Sequence, residues 1–123
     1  MSTSRCLILV SSVDTQRIQN VRMIEAYCTT HKIGYTEVDG ADPANKEIRT
    51  SLFGLAERNG SSRQYPLFFA MNADRTLTFL GDLEKVQDLM DADDTDPALL
   101  AQYPDVPTFK RFFYPVKDRK SVV

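Results

Sequence analysis

The residues Cys6-Leu7-Ile8-Leu9-Val10 form an apolar run without a single polar interruption. A strand with one face in water alternates apolar and polar side chains, so a continuous run of this length reads as a strand covered on both faces. The rest of the chain must therefore supply elements for both sides of a sheet.

The segment after Val10, Ser11-Ser12-Val13-Asp14, leads into a helix with Asp14 or Thr15 as its N-cap. Ile18, Val21, Ile24 and Cys28 form its apolar stripe, with Arg17, Arg22 and Glu25 off that stripe and an end at His31. Ile33 to Val38 alternates in the manner of a strand and stops at Asp39-Gly40. Strand, helix and strand so closely connected form a parallel crossover, which predicts that the first two strands pair side by side. Asp42-Pro43 supplies a cap and a first helical residue. Ile48, Leu52 and Leu55 are the expected stripe of a second helix ending at Asn59-Gly60. Pro66 to Met71 and Thr76 to Leu80 flank the turn Asn72-Ala73-Asp74-Arg75 and predict a hairpin. Gly81-Asp82 then breaks the strand and caps a third helix carrying Leu83, Val86, Leu89 and Met90. The predicted order is βαβαββα, an α/β domain over residues 4–92 with a four-stranded mixed sheet, followed by a C-terminal extension over residues 93–123.

A chain of 123 residues, 42% of them hydrophobic, supports one ordinary core and leaves no room for a second domain. The net charge of -2 gives no general attraction to nucleic acid. Met1-Ser2-Thr3-Ser4-Arg5 lacks the apolar centre of a signal peptide, and no later run approaches the roughly 20 apolar residues of a membrane span. The expectation is a cytoplasmic monomer with a protein partner. Cys6 and Cys28 are too few for a disulfide framework and match no zinc-ligand spacing, so they read as buried thiols, with no metal site. His31, the single histidine, sits beside Lys32 at a helix end, where a solvated cation is the simplest role. Ser11 and Ser12 lie in no G-x-S-x-G elbow, and the histidine is expected at the far end of the helix that they precede. A serine-hydrolase triad therefore has no support.

Leu9-Val10-Ser11-Ser12-Val13, Lys32-Ile33-Gly34-Tyr35, Val38-Asp39, Tyr65-Pro66 and Leu80-Gly81-Asp82 together resemble the SH3-domain-binding glutamic-acid-rich-like proteins, relatives of the glutaredoxins, over residues 5–91. The resemblance implies a thioredoxin-like (glutaredoxin-like) fold from which the catalytic cysteines have generally been lost, with adaptor or regulatory roles. Ser11-Ser12-Val13-Asp14 stands where a thioredoxin-like enzyme carries Cys-x-x-Cys. Thiol–disulfide chemistry needs a thiolate stabilised by a helix N-terminus, and a serine hydroxyl without a base does not replace it. The favoured reading is thus a non-catalytic protein-interaction or scaffold module.

The alternative places weak glutathione binding, or a glutaredoxin-related activity, in a groove of Ser11, Ser12, Tyr65, Pro66, Gly81 and Asp82. Tyr65-Pro66 matches the position of the cis-proline that faces the active site in thioredoxin-like folds, and Gly81-Asp82 resembles a step that holds the tripeptide in glutaredoxins. On the residues alone, Asp82 reads first as an N-cap, and Pro66 reads equally as a trans proline opening an edge strand. No other cofactor is expected. The family's proline-rich segment is not reproduced, since Tyr65-Pro66-Leu67-Phe68-Phe69 has one proline, and SH3 binding does not carry over from it.

The extension changes sign along its length. Asp88, Asp91, Asp93, Asp94 and Asp96 precede Phe109-Lys110-Arg111-Phe112-Phe113-Tyr114, with Lys117, Arg119 and Lys120 beyond. Such asymmetry marks an interaction segment, here with Pro104, Pro107, Phe109, Lys110, Arg111, Phe112, Phe113 and Tyr114 as the candidate partner-binding residues. Pro104-Asp105-Val106-Pro107 also satisfies P-x-x-P. The competing expectation is that Tyr103, Phe109, Phe112 and Phe113 fold back onto the domain, because four exposed aromatics invite aggregation.

Overall fold

The computed structural model describes residues 4–13 and 18–113. Its elements are β1 (Arg5–Val10), α1 (Ile18–Thr30), β2 (Gly34–Asp39), a 3-10 turn (Pro43–Asn45), α2 (Lys46–Arg58), β3 (Leu67–Met71), β4 (Leu77–Asp82), α3 (Leu83–Asp93), α4 (Pro97–Gln102) and α5 (Phe109–Phe113). The four strands make one mixed sheet in the order β2-β1-β3-β4, with β1 parallel to β2 and the other pairs antiparallel. The α/β class and the order βαβαββα thus agree with the expectation, and two short helices follow.

The apolar run of β1 is central and is buried on both faces because its side chains alternate between two cores. Cys6, Ile8 and Val10 join Val21, Ile24 and Cys28 of α1, Val86 and Leu89 of α3, and Phe109 and Phe113 of α5 on one side. Leu7 and Leu9 join Leu52, Phe53 and Ala56 of α2 on the other. The buried stripe of α2 differs from the expected Ile48, Leu52 and Leu55. Leu52 is buried, but Ile48 is exposed and Leu55 only partly covered, while Phe53 and Ala56 face the sheet. Phe53 meets the Tyr65 ring edge-on, with centroids 5.5 Å apart.

Gly81-Asp82 does not end β4 but belongs to it, pairing with Phe68 and Leu67 across an irregularity in register. Gly81 adopts φ +139°, and a Cβ there would lie 2.5 Å from the Lys85 side chain. Asp82 then caps α3 by accepting from the Lys85 N–H at 2.9 Å. The N-cap expected at Asp14 or Thr15 lies outside the described residues.

The segment after residue 93 is built into the same core. Asp93 accepts from the Tyr27 hydroxyl at 2.7 Å and from the Lys110 N–H at 3.2 Å, tying α1, α3 and α5 together. Asp96 caps α4 through the Ala98 N–H, with Pro97 at the first helical position. Thr108, itself buried, accepts from the Arg111 N–H at the start of α5. Phe109 has 0% of its surface exposed and contacts the rings of Tyr27 and Phe113. No described helix is long and apolar enough to cross a membrane.

Candidate functional site

The strand order gathers one set of sequence-chosen residues at a single end of the sheet. Leu9 pairs with Leu67 and Leu67 with Asp82, so the residues after β1, before β3 and at the end of β4 share one level. This upper end holds Ser11, Ser12, Tyr65, Pro66, Gly81 and Asp82. A cleft of about 310 Å³ there is lined by Gln64, Tyr65, Pro66, Asp82, Leu83 and Glu84, together with Gln87. The Tyr65-Pro66 bond is cis.

Ser11 and Ser12 do not line that cleft. Ser11 is buried, and its Oγ accepts from the Val13 N–H at 3.4 Å. Ser12 is exposed and donates its N–H to Asp39 Oδ1 at 3.0 Å, and the Ala41 N–H donates to the same atom at 2.9 Å. These two bonds, Ala41 first, hold the Asp39 carboxyl below its ordinary range. Asp39 is thereby the bracket between the ends of β1 and β2, a role that sequence reading reduced to turn chemistry. Gly40 is needed beside it, since a Cβ would approach the Tyr65 Oη to 2.3 Å.

The cysteines sit elsewhere. Cys6 and Cys28 are free, fully buried thiols in contact with one another inside the α1 core. The hydrogen bond to Cys28 and burial both push the Cys6 thiol up, while the same bond draws Cys28 down, so the pair titrates together. Neither sits at a helix N-terminus, the setting that makes a reactive thiolate.

A second titratable group lies on the same helix. Glu25 is buried, its Oε1 accepting from Arg22 at 2.6 Å, and Arg22 also holds Glu37 of β2. Burial first, and then a hydrogen bond with the Glu37 carboxyl, push Glu25 up to about 7, against the pull of Arg22. Its Oε2 is buried without a hydrogen-bond partner among the described residues. Among the described residues no group of His, Cys, Asp or Glu is arranged to hold a metal ion.

The tail residues fall into two classes. Phe109 and Phe113 are core, and Phe112 packs partly against it. Arg111 clamps the loop before α5, donating to the backbone carbonyls of Leu100, Tyr103 and Val106 at 2.8, 2.9 and 2.6 Å. Pro104 and Asp105 are the centre of a turn closed by the Val106 N–H on the Tyr103 carbonyl at 3.1 Å. Polyproline II has no internal hydrogen bonds, so the P-x-x-P stretch is not displayed in that form. Leu99, Tyr103 and Val106 are exposed around the clamp, and Val106 lines, with Phe112, an apolar hollow of about 290 Å³. Tyr114 lies outside the described residues. This display escaped the sequence because its organiser is an arginine bound to backbone carbonyls, an interaction without a sequence signature. Compared with known proteins, the chain matches no family model, no curated protein and no solved structure.

Proposed function

We propose that the chain is a non-catalytic protein-interaction module of thioredoxin-like, specifically glutaredoxin-like, architecture, acting in the cytoplasm. The element order, the mixed sheet and the quoted resemblance to SH3-domain-binding glutamic-acid-rich-like proteins support that architecture. The observation that carries the function is the Arg111 clamp, which binds the backbone carbonyls of Leu100, Tyr103 and Val106 and so fixes the segment that carries exposed Tyr103 and Val106, next to exposed Leu99. A preformed aromatic and aliphatic surface loses little entropy when a partner covers it, and tyrosine is a favoured anchor. Tyr103→Ser with Val106→Ser removes this anchor without touching the core. Partners enriched by the wild-type protein should be lost with the variant at unchanged melting temperature, and calorimetry on the purified pair should show the same loss. Equal affinity in both proteins would refute the reading.

The cleft beside Tyr65 and Pro66 favours a second reading, a glutathione-binding or glutaredoxin-related protein. The cleft borders the start of α3, and the N-terminal end of a helix attracts a carboxylate. Asp82 and Glu84 oppose it with negative charge. Glutathione titrated against amide resonances should shift Gln64 to Pro66 neighbours and Leu83 if this reading holds, and an unchanged spectrum removes it.

A further inference from the structure

The opposite end of the sheet carries a larger cavity, about 550 Å³, where the start of β1, the end of α1 and the β3–β4 turn meet. Its rim holds Arg5, Lys32 and Arg75 with the polar Ser4 and Asn72, and no described residue lining it is acidic. Ile33, Met71 and Phe113 give it an apolar floor. We infer that this cavity binds a small phosphorylated organic molecule, its phosphate held by Arg5, Lys32 and Arg75 and its organic part resting on the apolar floor.

The backbone makes the placement of these cations specific. Lys32 and Arg75 are the only non-glycine residues at positive φ among the described residues, at 60° and 72°. Helices α1 and α2 close with the same motif: the Ile33 N–H reaches the Cys28 carbonyl and the Ser61 N–H reaches the Ala56 carbonyl. At the equivalent positive-φ position α2 uses Gly60, the residue that fits without strain, whereas α1 uses Lys32. Arg75 likewise occupies the left-handed position of a three-residue hairpin loop closed by the Asn72 N–H on the Thr76 carbonyl, another glycine position. Two unrelated turns therefore each accept a disfavoured conformation in a long cation, and both cations border one cavity.

Neither side chain has a hydrogen-bond or ion-pair partner among the described residues. Asp74, the acid nearest in sequence, is occupied by the Thr76 N–H and hydroxyl at 3.0 and 2.6 Å. The third cation is prepositioned: Arg5 donates through Nε to Thr36 at 2.6 Å and through Nη2 to the Tyr35 carbonyl at 2.8 Å. Its Nη1 lies 2.6 Å from where a Cβ on Gly34 would be, so glycine at that position leaves room for the guanidinium. A guanidinium so fixed, with two further cations, suits the three-oxygen face of a phosphate, and the volume falls within the range of small-molecule sites.

The test uses the full chain with inorganic pyrophosphate and adenosine 5′-diphosphate as probes, followed by amide resonances at constant ionic strength. Saturable shifts at Gly34 and Asn72 to Thr76 are expected, with the organic diphosphate binding more tightly than pyrophosphate. Lys32→Gly with Arg75→Gly should weaken both by about tenfold or more, the loss of two charge-assisted contacts. Because glycine relieves both backbone positions, this variant should melt no lower than wild type, which separates lost binding from lost folding. Shifts that never saturate, equal affinity in the variant, or tighter binding of single-stranded oligonucleotide than of either probe would each overturn the proposal.

Discussion

The two ends of the sheet are built on opposite logic. At the upper end, polar groups are spent on the protein itself: Asp39 binds the N–H groups of Ser12 and Ala41, Asp82 caps α3, and Ser11 is turned inward. At the lower end, Lys32 and Arg75 are held in unfavourable backbone positions with their charges uncommitted to described partners. An end whose polar groups satisfy one another is structural by default, whereas cations kept at a conformational cost point to something outside the fold. Residue type alone pointed to the upper end, because serines, a proline and a Gly-Asp step look like a site.

The largest test of this contrast lies in α5, whose Phe113 lines the lower cavity and is braced by Phe109, ring centroids 5.0 Å apart. Phe109→Ala should cost about 3–5 kcal/mol in denaturant unfolding. A loss below about 1 kcal/mol would mean that the helix merely leans on the domain rather than completing it. At the upper end, Gly40→Ala drives a methyl into the Tyr65 ring and should cost about 1–3 kcal/mol, with the shift in amide spectra centred on Tyr65 and Phe53. An unchanged melting temperature would show that Tyr65 moves aside freely and that the upper end is less rigid than its hydrogen bonds imply.

Between the two ends, the buried Glu25 should make stability depend on pH. Its folded value, about 7, exceeds that of an exposed glutamate, so the folded state holds a proton that the unfolded chain has released. That contribution is complete at the acid side of the window and is lost as pH rises from about 4.5 to about 7. Glu25→Gln should flatten this slope, and a wild-type curve that rises over the same interval would refute it. The smallest effect belongs to Asp39. Its depressed value means that its contribution is present above the ordinary aspartate range and fades as pH falls through the folded value. Asp39→Asn should abolish that acid-side slope and speed amide exchange at Ser12 and Ala41 while leaving Lys32 and Arg75 untouched. Equal exchange in both proteins would deny Asp39 its bracketing role.

A further expectation bears on chemistry. Cys6 and Cys28 are both wholly buried, so a thiol reagent should label neither in the native protein and both after unfolding. Labelling under native conditions would locate an opening near the lower end of β1.

Local physics made much of this molecule legible. The uninterrupted run Cys6 to Val10 announced a central strand because only cover on two sides accounts for it, and Val21, Ile24 and Cys28 followed from helical spacing. Asp82 was readable as a cap because that interaction spans three residues of one chain segment. The helices of the extension were missed although Asp96-Pro97 carried the signal of one, and the acidic stretch that read as part of an interaction segment contributes Asp93 as a strut between α1 and α5. The amino-acid sequence by itself determined the order of strands and helices as far as α3, the two-faced burial of β1 and the inertness expected of two thiols remote from a helix N-terminus. Only the tertiary structure decided which polar groups remain available. That choice depends on partners far apart in sequence, such as Arg5 with Thr36, Asp39 with Ser12 and Arg111 with Leu100, and on backbone angles at Lys32 and Arg75 that no side-chain identity announces.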